Sequence, residues 1–167
     1  MPAPQVREIR FLADAMLERL ARWLRVLGFD TASGSAARDA ELVRRAEEEG
    51  RVLLTRDRRL AHLRNSRESL LVLSDEPLSQ LRQVIAHFRL EAPRELFTRC
   101  LVCNTVLGSV SGEEVEALVA PGAPDRPETL RRCQSCNRMY WEGSHTRRMR
   151  SALERALRQS DTSPPAD

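Results

Sequence analysis

Four cysteines carry the most specific chemical signal in the chain. They fall in two Cys-x-x-Cys pairs, Cys100 with Cys103 and Cys133 with Cys136, with 29 residues between the pairs. Each pair brings two thiolates together in one tight turn. Four thiolates in tetrahedral array suit Zn²⁺, and a site with four protein ligands is closed, which makes the zinc structural. Asn104 and Asn137 directly follow the second cysteine of each pair. Asparagine tolerates the left-handed backbone that closes such a knuckle. Two separate redox-active pairs are the competing reading, and the ribbon-like spacing favours a single metal site. Iron suits the same ligand set less well than zinc.

A second set of candidates is made of carboxylates. Asp14 closes an apolar segment at residues 9–13, and Asp57 lies two residues past the end of another, RVLLT, at residues 51–55. Asp39 and Glu41 open a helical pattern, and Asp75 follows a third apolar run. Carboxylates gathered at one sheet edge repel one another unless a cation joins them. Mg²⁺ or Mn²⁺ is the fitting ion, being hard, oxygen-seeking and reluctant to shed its waters. Such a centre suits hydrolysis of a phosphodiester. Each acid also has a structural use. Asp14 and Asp57 are both placed to cap a following helix, with the metal role preferred for Asp14. Asp39 and Glu41 divide evenly between cap or first-turn acid and ligand. Asp75 reads better as a cap than as a ligand, and Thr55 on its own is an ordinary strand residue.

The elements that must position these groups follow from periodicity. Strands are expected at 9–13, 29–32, 51–55 and 70–73. Helices are expected at 15–27, 38–49, 58–63 and 78–88. The first helix carries Leu17, Leu20, Ala21, Leu24 and Leu27 on one face and stops at Gly28. The second carries Leu42, Val43 and Ala46 and stops at Gly50. Ser74 or Asp75 is expected to cap the fourth helix, with Pro77 in its first turn. Residues 33–37 read as a loop and 91–99 as a connector. This β-α alternation predicts an α/β fold, a parallel sheet with helices on both faces. Such sheets bind their ligands at the carboxyl ends of the strands. Residues 100–136 form a second unit too small for its own apolar core, with room for two or three short strands and a loop at 121–127. Residues 146–159 read as a basic helix and 160–167 as a disordered tail. The division expected is therefore 6–92, 97–146 and 147–167.

Composition sets outer limits. The chain has 167 residues and a net charge of +3. All 27 basic side chains are arginine. A Lys-free, Ala- and Arg-rich composition points to a GC-rich genome, so single arginines weigh little. The charge allows a nucleic-acid partner without requiring one. No run approaches the ~20 apolar residues of a membrane span. Residues 1–10 do not look like a secretion signal. With the paired cysteines, these features lead to an expected cytoplasmic location and no membrane partner.

The stretches FLADAMLERLARWLRVLGFDT, DAELVRRAEEEGRVLLTRDRRLA and LSDEPLSQL resemble the PIN-like ribonuclease domains of the Mut-seven C-terminal family. CLVCNTVL and RRCQSCNRMYWEGSHTRRM resemble the zinc ribbon those domains carry. The similarity spans about residues 10–149. It implies a PIN-like fold with a small C-terminal zinc ribbon and a metal-dependent site acting on single-stranded RNA. By position it makes Asp14 the first acid and Asp57 the acid of a Thr-x-Asp motif. Thr55 would orient water or backbone near the metal. Asp39, with Glu41 close behind, is the acid of the second helix, and Asp75 is a further acid. PIN-like domains often pair, so a homodimer is among the expected states.

A single-stranded RNA substrate needs phosphate neutralisation and some stacking surface. Arg19, Arg22, Arg56, Arg58 and Arg59 are the candidates near the acids. Trp23 reads better as a core residue than as a base platform, and the tail arginines as a solvated helix face. Tyr140 and Trp141 are expected to cover the zinc site or pack the ribbon, and His145 to be structural. The competing function is a non-catalytic RNA- or ribosome-binding module built on the ribbon and basic surface. Retained acids argue against it, because a phosphate binder gains by losing them. A phosphatase-like hydrolase finds no glycine-rich phosphate loop and no Asp-x-Asp motif.

Overall fold

A computed structural model describes residues 9–34, 38–62, 68–91, 95–118 and 130–158. Four short strands, β1 (Phe11–Ala13), β2 (Thr31–Ser33), β3 (Val52–Thr55) and β4 (Ser69–Leu71), form one parallel sheet in the order β2-β1-β3-β4. Between and after them run α1 (Glu18–Val26), α2 (Asp39–Glu48), α3 (Arg58–His62) and α4 (Pro77–Phe88). A 3₁₀ turn at Ala15–Leu17 leads into α1. The predicted alternation of strand and helix is thus the observed one, with element ends shifted by a few residues.

The sheet is buried on both faces, and two apolar clusters show how. Phe11, Ala13, Leu54 and Val72 face α1 and α4, where Leu17, Leu20, Leu24, Leu81 and Val84 are buried. Leu12 and Leu53 point the other way, onto Leu42, Ala46 and Leu60 of α2 and α3. Alternation along three- and four-residue strands makes this division, since successive side chains take opposite faces. Trp23 packs against the first cluster as a partly buried core residue, as expected.

The caps hold one correction. Ser74 and Asp75 were the expected caps of α4, but Glu76 takes that role. Its carboxylate accepts from the N–H groups of Leu78 at 3.0 Å and Ser79 at 2.5 Å. Ser74 instead accepts from the Glu76 N–H. Glu76 is the residue just before Pro77, and the proline at the first helical position makes its predecessor the cap.

Residues 95–158 add a three-stranded antiparallel sheet of β5 (Leu107–Ser109), β6 (Leu130–Cys133) and β7 (Met139–Trp141), in that order. A short helix, α5 (Gly112–Leu118), which the sequence did not suggest, lies between β5 and β6. The final helix, α6 (Ser144–Arg158), is two-faced. Leu153 and Ala156 are buried, and Met149 and Leu157 pack onto the larger core beside α4. Of the tail arginines, Arg147, Arg148, Arg155 and Arg158 stay exposed, as a solvated basic face requires, whereas Arg150 is half-buried and pairs with Glu142. The expected loop at 121–127, the tail at 160–167 and residues 35–37 of the first loop lie outside the described residues. Among the described residues no helix is long and apolar enough to cross a membrane.

Gly28 ends α1 with φ +85°, and a Cβ placed there would stand 2.7 Å from the Thr98 hydroxyl. Both the backbone and the close approach of the following segment exclude a side chain. Gly28→Ala is expected to destabilise the chain by about 1–2 kcal/mol from the left-handed backbone alone, with the contact adding to it. Urea unfolding of the two proteins reads the difference.

Candidate functional site

The ends of all four strands meet at one edge of the parallel sheet. The Asp14 N–H continues the ladder to Leu54 at 3.0 Å, the Val72 N–H bonds Thr55 at 2.8 Å, and the Gly34 N–H bonds Ala13 at 2.8 Å. Thr55 is fully buried at this edge. Its hydroxyl donates to Asp14 Oδ2 at 2.8 Å and accepts from the Asp57 N–H at 3.0 Å. One threonine therefore joins the two aspartates that the sequence singled out. The β-branched residue sits in a strand whose fixed side-chain rotamer aims the hydroxyl.

Both acids also cap. Asp14 Oδ1 accepts from the Met16 N–H at 3.1 Å, at the start of the 3₁₀ turn. Asp57 Oδ1 accepts from Arg59 at 2.7 Å and Leu60 at 3.2 Å, at the start of α3. These bonds hold the carboxylates in place and leave lone pairs open to solvent. Asp57 is exposed and Asp14 partly so. Two oriented carboxylates with free oxygen positions are the donor set a hard divalent cation takes.

The other candidates are placed as follows. Asp39 and Glu41 are exposed in the first turn of α2. That turn starts close to the end of β2, because Leu42 presses on Gly34 so tightly that a Cβ there would meet Leu42 Cδ2 at 2.1 Å. Asp75 is exposed and pairs with Arg56. Arg19, Arg22, Arg58 and Arg59 are exposed and form no ion pair with a described residue. Among the described residues no three carboxylates bring ligand atoms within 4.8 Å of one another; the four cysteines do. Thr55 thus joins two of the acids, and no carboxylate triad is assembled among the described residues.

The cysteine cluster is built from two matching knuckles. Cys103 and Cys136 each turn their N–H toward the first sulfur of their pair at 3.5 Å. Asn104 and Asn137 close the turns at φ 69° and 57°, as their side chains allowed. Sulfur pairs stand 3.3 Å (Cys103 to Cys133) and 3.5 Å (Cys100 to Cys136) apart. Four thiolates about 2.3 Å from one zinc would stand about 3.8 Å apart, so the cage has the size for a tetrahedral ion such as zinc.

The protonation preferences agree. Desolvation alone would raise the thiols of Cys100, Cys103 and Cys133, but hydrogen bonds outweigh it and hold all three below the ordinary value. Backbone N–H groups lead at Cys100 and Cys133 and the Thr105 hydroxyl at Cys103, with the Tyr140 hydroxyl also at Cys100, 3.0 Å away. Cys136 goes the other way. The Arg138 N–H favours its thiolate, but desolvation and the three neighbouring sulfurs push it up to about 12. Four thiols in this space cannot all ionise unaided, and a divalent cation among them removes the repulsion. Tyr140 also accepts from the Leu101 N–H at 3.1 Å, so it does cover the cluster, whereas Trp141 stays exposed.

A third constellation was not anticipated. Arg25, 1% exposed, sits between the sheet and the first knuckle. Its guanidinium donates to Thr31 O at 2.9 Å, Ser33 Oγ at 2.6 Å, Glu18 Oε1 at 3.1 Å and Leu101 O at 2.9 Å. Nearby, the Asn104 side chain donates to Asp30 at 2.7 Å and accepts from the Thr31 N–H at 3.0 Å. Arg51 completes the cluster on Asp30 at 2.6 Å. One signal could have revealed Arg25. It borders the apolar stripe of α1, and Glu18 lies two helical turns before it on the same side.

Burial alone would raise the Asp30 carboxyl. Hydrogen bonds from Arg51 and Asn104 and the charges of Arg51 and Arg99 outweigh it and hold the group below its ordinary value of 3.8. A depressed folded-state value contributes stability that is present above 3.8 and lost as pH falls through the lower value. Asp30→Asn should therefore be less stable than the parent at pH 7, with the gap closing once acid protonates the parent's carboxyl. Urea midpoints at pH 7 and at pH 3 and below test the sign.

Comparison with known proteins bears on the same residues. The family model described as the Mut7-C RNAse domain matches residues 9–153. The human protein named "Exonuclease mut-7 homolog" is 35% identical over 112 residues, covering 61% of this chain and 13% of that protein's length. This chain therefore corresponds to a small part of that relative. No solved structure matches. The family and the relative are both of nuclease type, and the region matched by the family model holds Asp14, Thr55, Asp57 and the four cysteines. On that match, the chain belongs to the Mut7-C RNAse domain family.

Proposed function

We propose that the protein is a divalent-metal-dependent ribonuclease that hydrolyses phosphodiester bonds of single-stranded RNA at the Asp14–Thr55–Asp57 edge. The observation that carries this reading is the buried Thr55 hydroxyl, which bonds Asp14 Oδ2 on one side and the Asp57 backbone on the other. A cation and a phosphate lying between the two acids would offset the repulsion of their like charges. Asp14 and Asp57 would hold Mg²⁺ or Mn²⁺, with Asp39 or Glu41 joining from the first turn of α2. When bound, the ion supplies Lewis acidity at a phosphoryl oxygen.

The chain's own groups do the rest. The capping N–H bonds fix one oxygen of each carboxylate, so the remaining lone pairs point outward without a search through rotamers. Thr55 keeps Asp14 aimed. Arg58 and Arg59 flank Asp57 and offer charge to the phosphates on either side. Arg19 and Arg22 on α1 extend that charge. Arg56 orients Asp75 rather than facing solvent alone. The cysteine cluster holds one structural zinc and serves the nuclease by ordering the knuckle that docks on β2.

Asp57→Asn isolates the chemistry, because asparagine caps a helix as well as aspartate does. The variant should fold like the parent and lose cleavage of a labelled single-stranded RNA by more than about 100-fold, since loss of even an outer partner of a metal ligand costs about 10–100-fold. EDTA should stop the parent, and Mn²⁺ or Mg²⁺ should restore it. A folded Asp57→Asn protein that still cuts RNA refutes the reading. RNA bound but uncut by both proteins favours a binding module instead.

Zinc has its own readout. The purified chain should carry about one zinc per molecule by elemental analysis, and Cys133→Ser should lose it. In the parent, chelation should speed hydrogen exchange at the Thr31 amide, which Asn104 accepts. An unchanged rate there would separate the ribbon from the sheet.

A further inference from the structure

Five large apolar side chains are exposed among the described residues: Met16, Leu73, Val102, Val106 and Trp141. Three of them belong to the small C-terminal sheet and its knuckle. The other two, Met16 at 67% and Leu73 at 68%, both sit at the carboxylate edge of the parallel sheet. Met16 is the second residue after Asp14. Leu73 directly follows Val72, whose N–H bonds the Thr55 carbonyl. The pair therefore brackets Thr55, one residue from the β1 side and one from the β4 side. Strand β3 alone lies between those two strands, so two strand spacings, about 10 Å, separate the backbones.

Neither side chain is exposed through looseness of its segment. Met16 lies in a turn tied by its own N–H to Asp14, while the next residue, Leu17, is fully buried. Leu73 is clamped from α4. Gln83 accepts from the Leu73 N–H at 3.0 Å and donates to Leu71 O at 2.8 Å. Gln80, only 4% exposed, donates to Ser74 O at 2.8 Å. Two glutamine amides thus hold the backbone around a leucine that faces water. Scattered exposed leucines need no explanation. Two apolar groups carried on tied backbone, on opposite sides of Thr55, are a different arrangement.

We propose that Met16 and Leu73 are base-contact lips, which receive the faces of two unpaired nucleobases while the intervening phosphate lies over Asp14 and Asp57. The inference rests on the ribonuclease reading and adds to it a source of strand preference. The occupant is single-stranded RNA because the neighbouring unpaired arginines, Arg58 and Arg59, suit phosphate, and an apolar contact suits any base face. A duplex hides those faces by stacking, so the lips discriminate by strandedness and not by sequence.

The test uses the full chain and a labelled single-stranded RNA, and reads binding without divalent ion and cleavage with Mn²⁺. Met16→Ser and Leu73→Ser remove surface apolar groups and should leave the melting temperature unchanged. Each should raise Kd and KM by about five- to tenfold and leave kcat within about twofold, the scale of one lost base contact. Val106→Ser, in the small C-terminal sheet, should behave as the parent. An RNA with abasic residues at the central nucleotides should bind parent and variants alike, and this arm uses the parent's own fold. A parent that cuts RNA with variants matching it in Kd and KM overturns the proposal and leaves the nuclease. A parent that binds without cutting, with weakened variants, removes the nuclease and keeps the lips. A parent that neither binds nor cuts removes both.

Discussion

An open parallel sheet ends on each side in a strand whose outward N–H and C=O groups lack a partner strand, and in this protein β2 is the edge beside the first cysteine knuckle. The fold closes the edge with side chains. The Thr31 N–H goes to Asn104, the Thr31 carbonyl to Arg25 and the Ser33 carbonyl to Arg45. Left open, such an edge is a template for pairing with another chain. Covering it requires the first cysteine knuckle to stand beside β2, and that requirement ties the metal cage to the larger sheet. Arg25 is the group on which the arrangement turns. A buried guanidinium is costly unless its donors are satisfied, and here the sheet, Glu18, Ser33 and the knuckle carbonyls satisfy them together. Removing any one partner leaves charge in a dry place.

The knuckle asparagine shows how one residue meets two demands. Its backbone must be left-handed to close the turn over the sulfurs, and Asn104 is at φ 69°. Glycine would serve that need with less strain but could not reach Asp30 and Thr31. Asn137 closes the matching turn of the second knuckle and is exposed. The difference between the two knuckles is thus a difference of neighbours, not of local geometry.

At the opposite end of the strands, capping and chemistry are not alternatives. Asp14 and Asp57 each give one oxygen to a helix or turn start; the second oxygen of Asp14 accepts from Thr55, and Asp57 stays exposed. The cap supplies orientation, and the buried Thr55 hydroxyl supplies the link between them. Holding the acids this way costs no separate scaffold, because the turns that follow β1 and β3 need their N–H groups satisfied in any case.

Much of this is legible in one dimension. The apolar stripe of α1, the glycine stops at Gly28 and Gly50, the alternation that makes a parallel sheet, the two knuckles and the Asp14, Thr55 and Asp57 positions all follow from spacing within a few residues. The cap of α4 was misplaced by one or two residues because Ser74, Asp75 and Glu76 are all competent, and only the backbone entering Pro77 selects among them. Asp39 and Glu41, expected near the same edge, stand exposed in the first turn of α2, whose approach to the sheet is set by the contact of Leu42 with Gly34. What the sequence by itself determined is local: hydrophobic period, turn chemistry and ligand spacing act between near neighbours. What only the tertiary structure decided is the docking of the ribbon on the sheet edge. Its contacts join residues 73 and 76 positions apart, Thr31 to Asn104 and Arg25 to Leu101. No periodicity reports such a pairing, because it exists only when two separately formed surfaces meet.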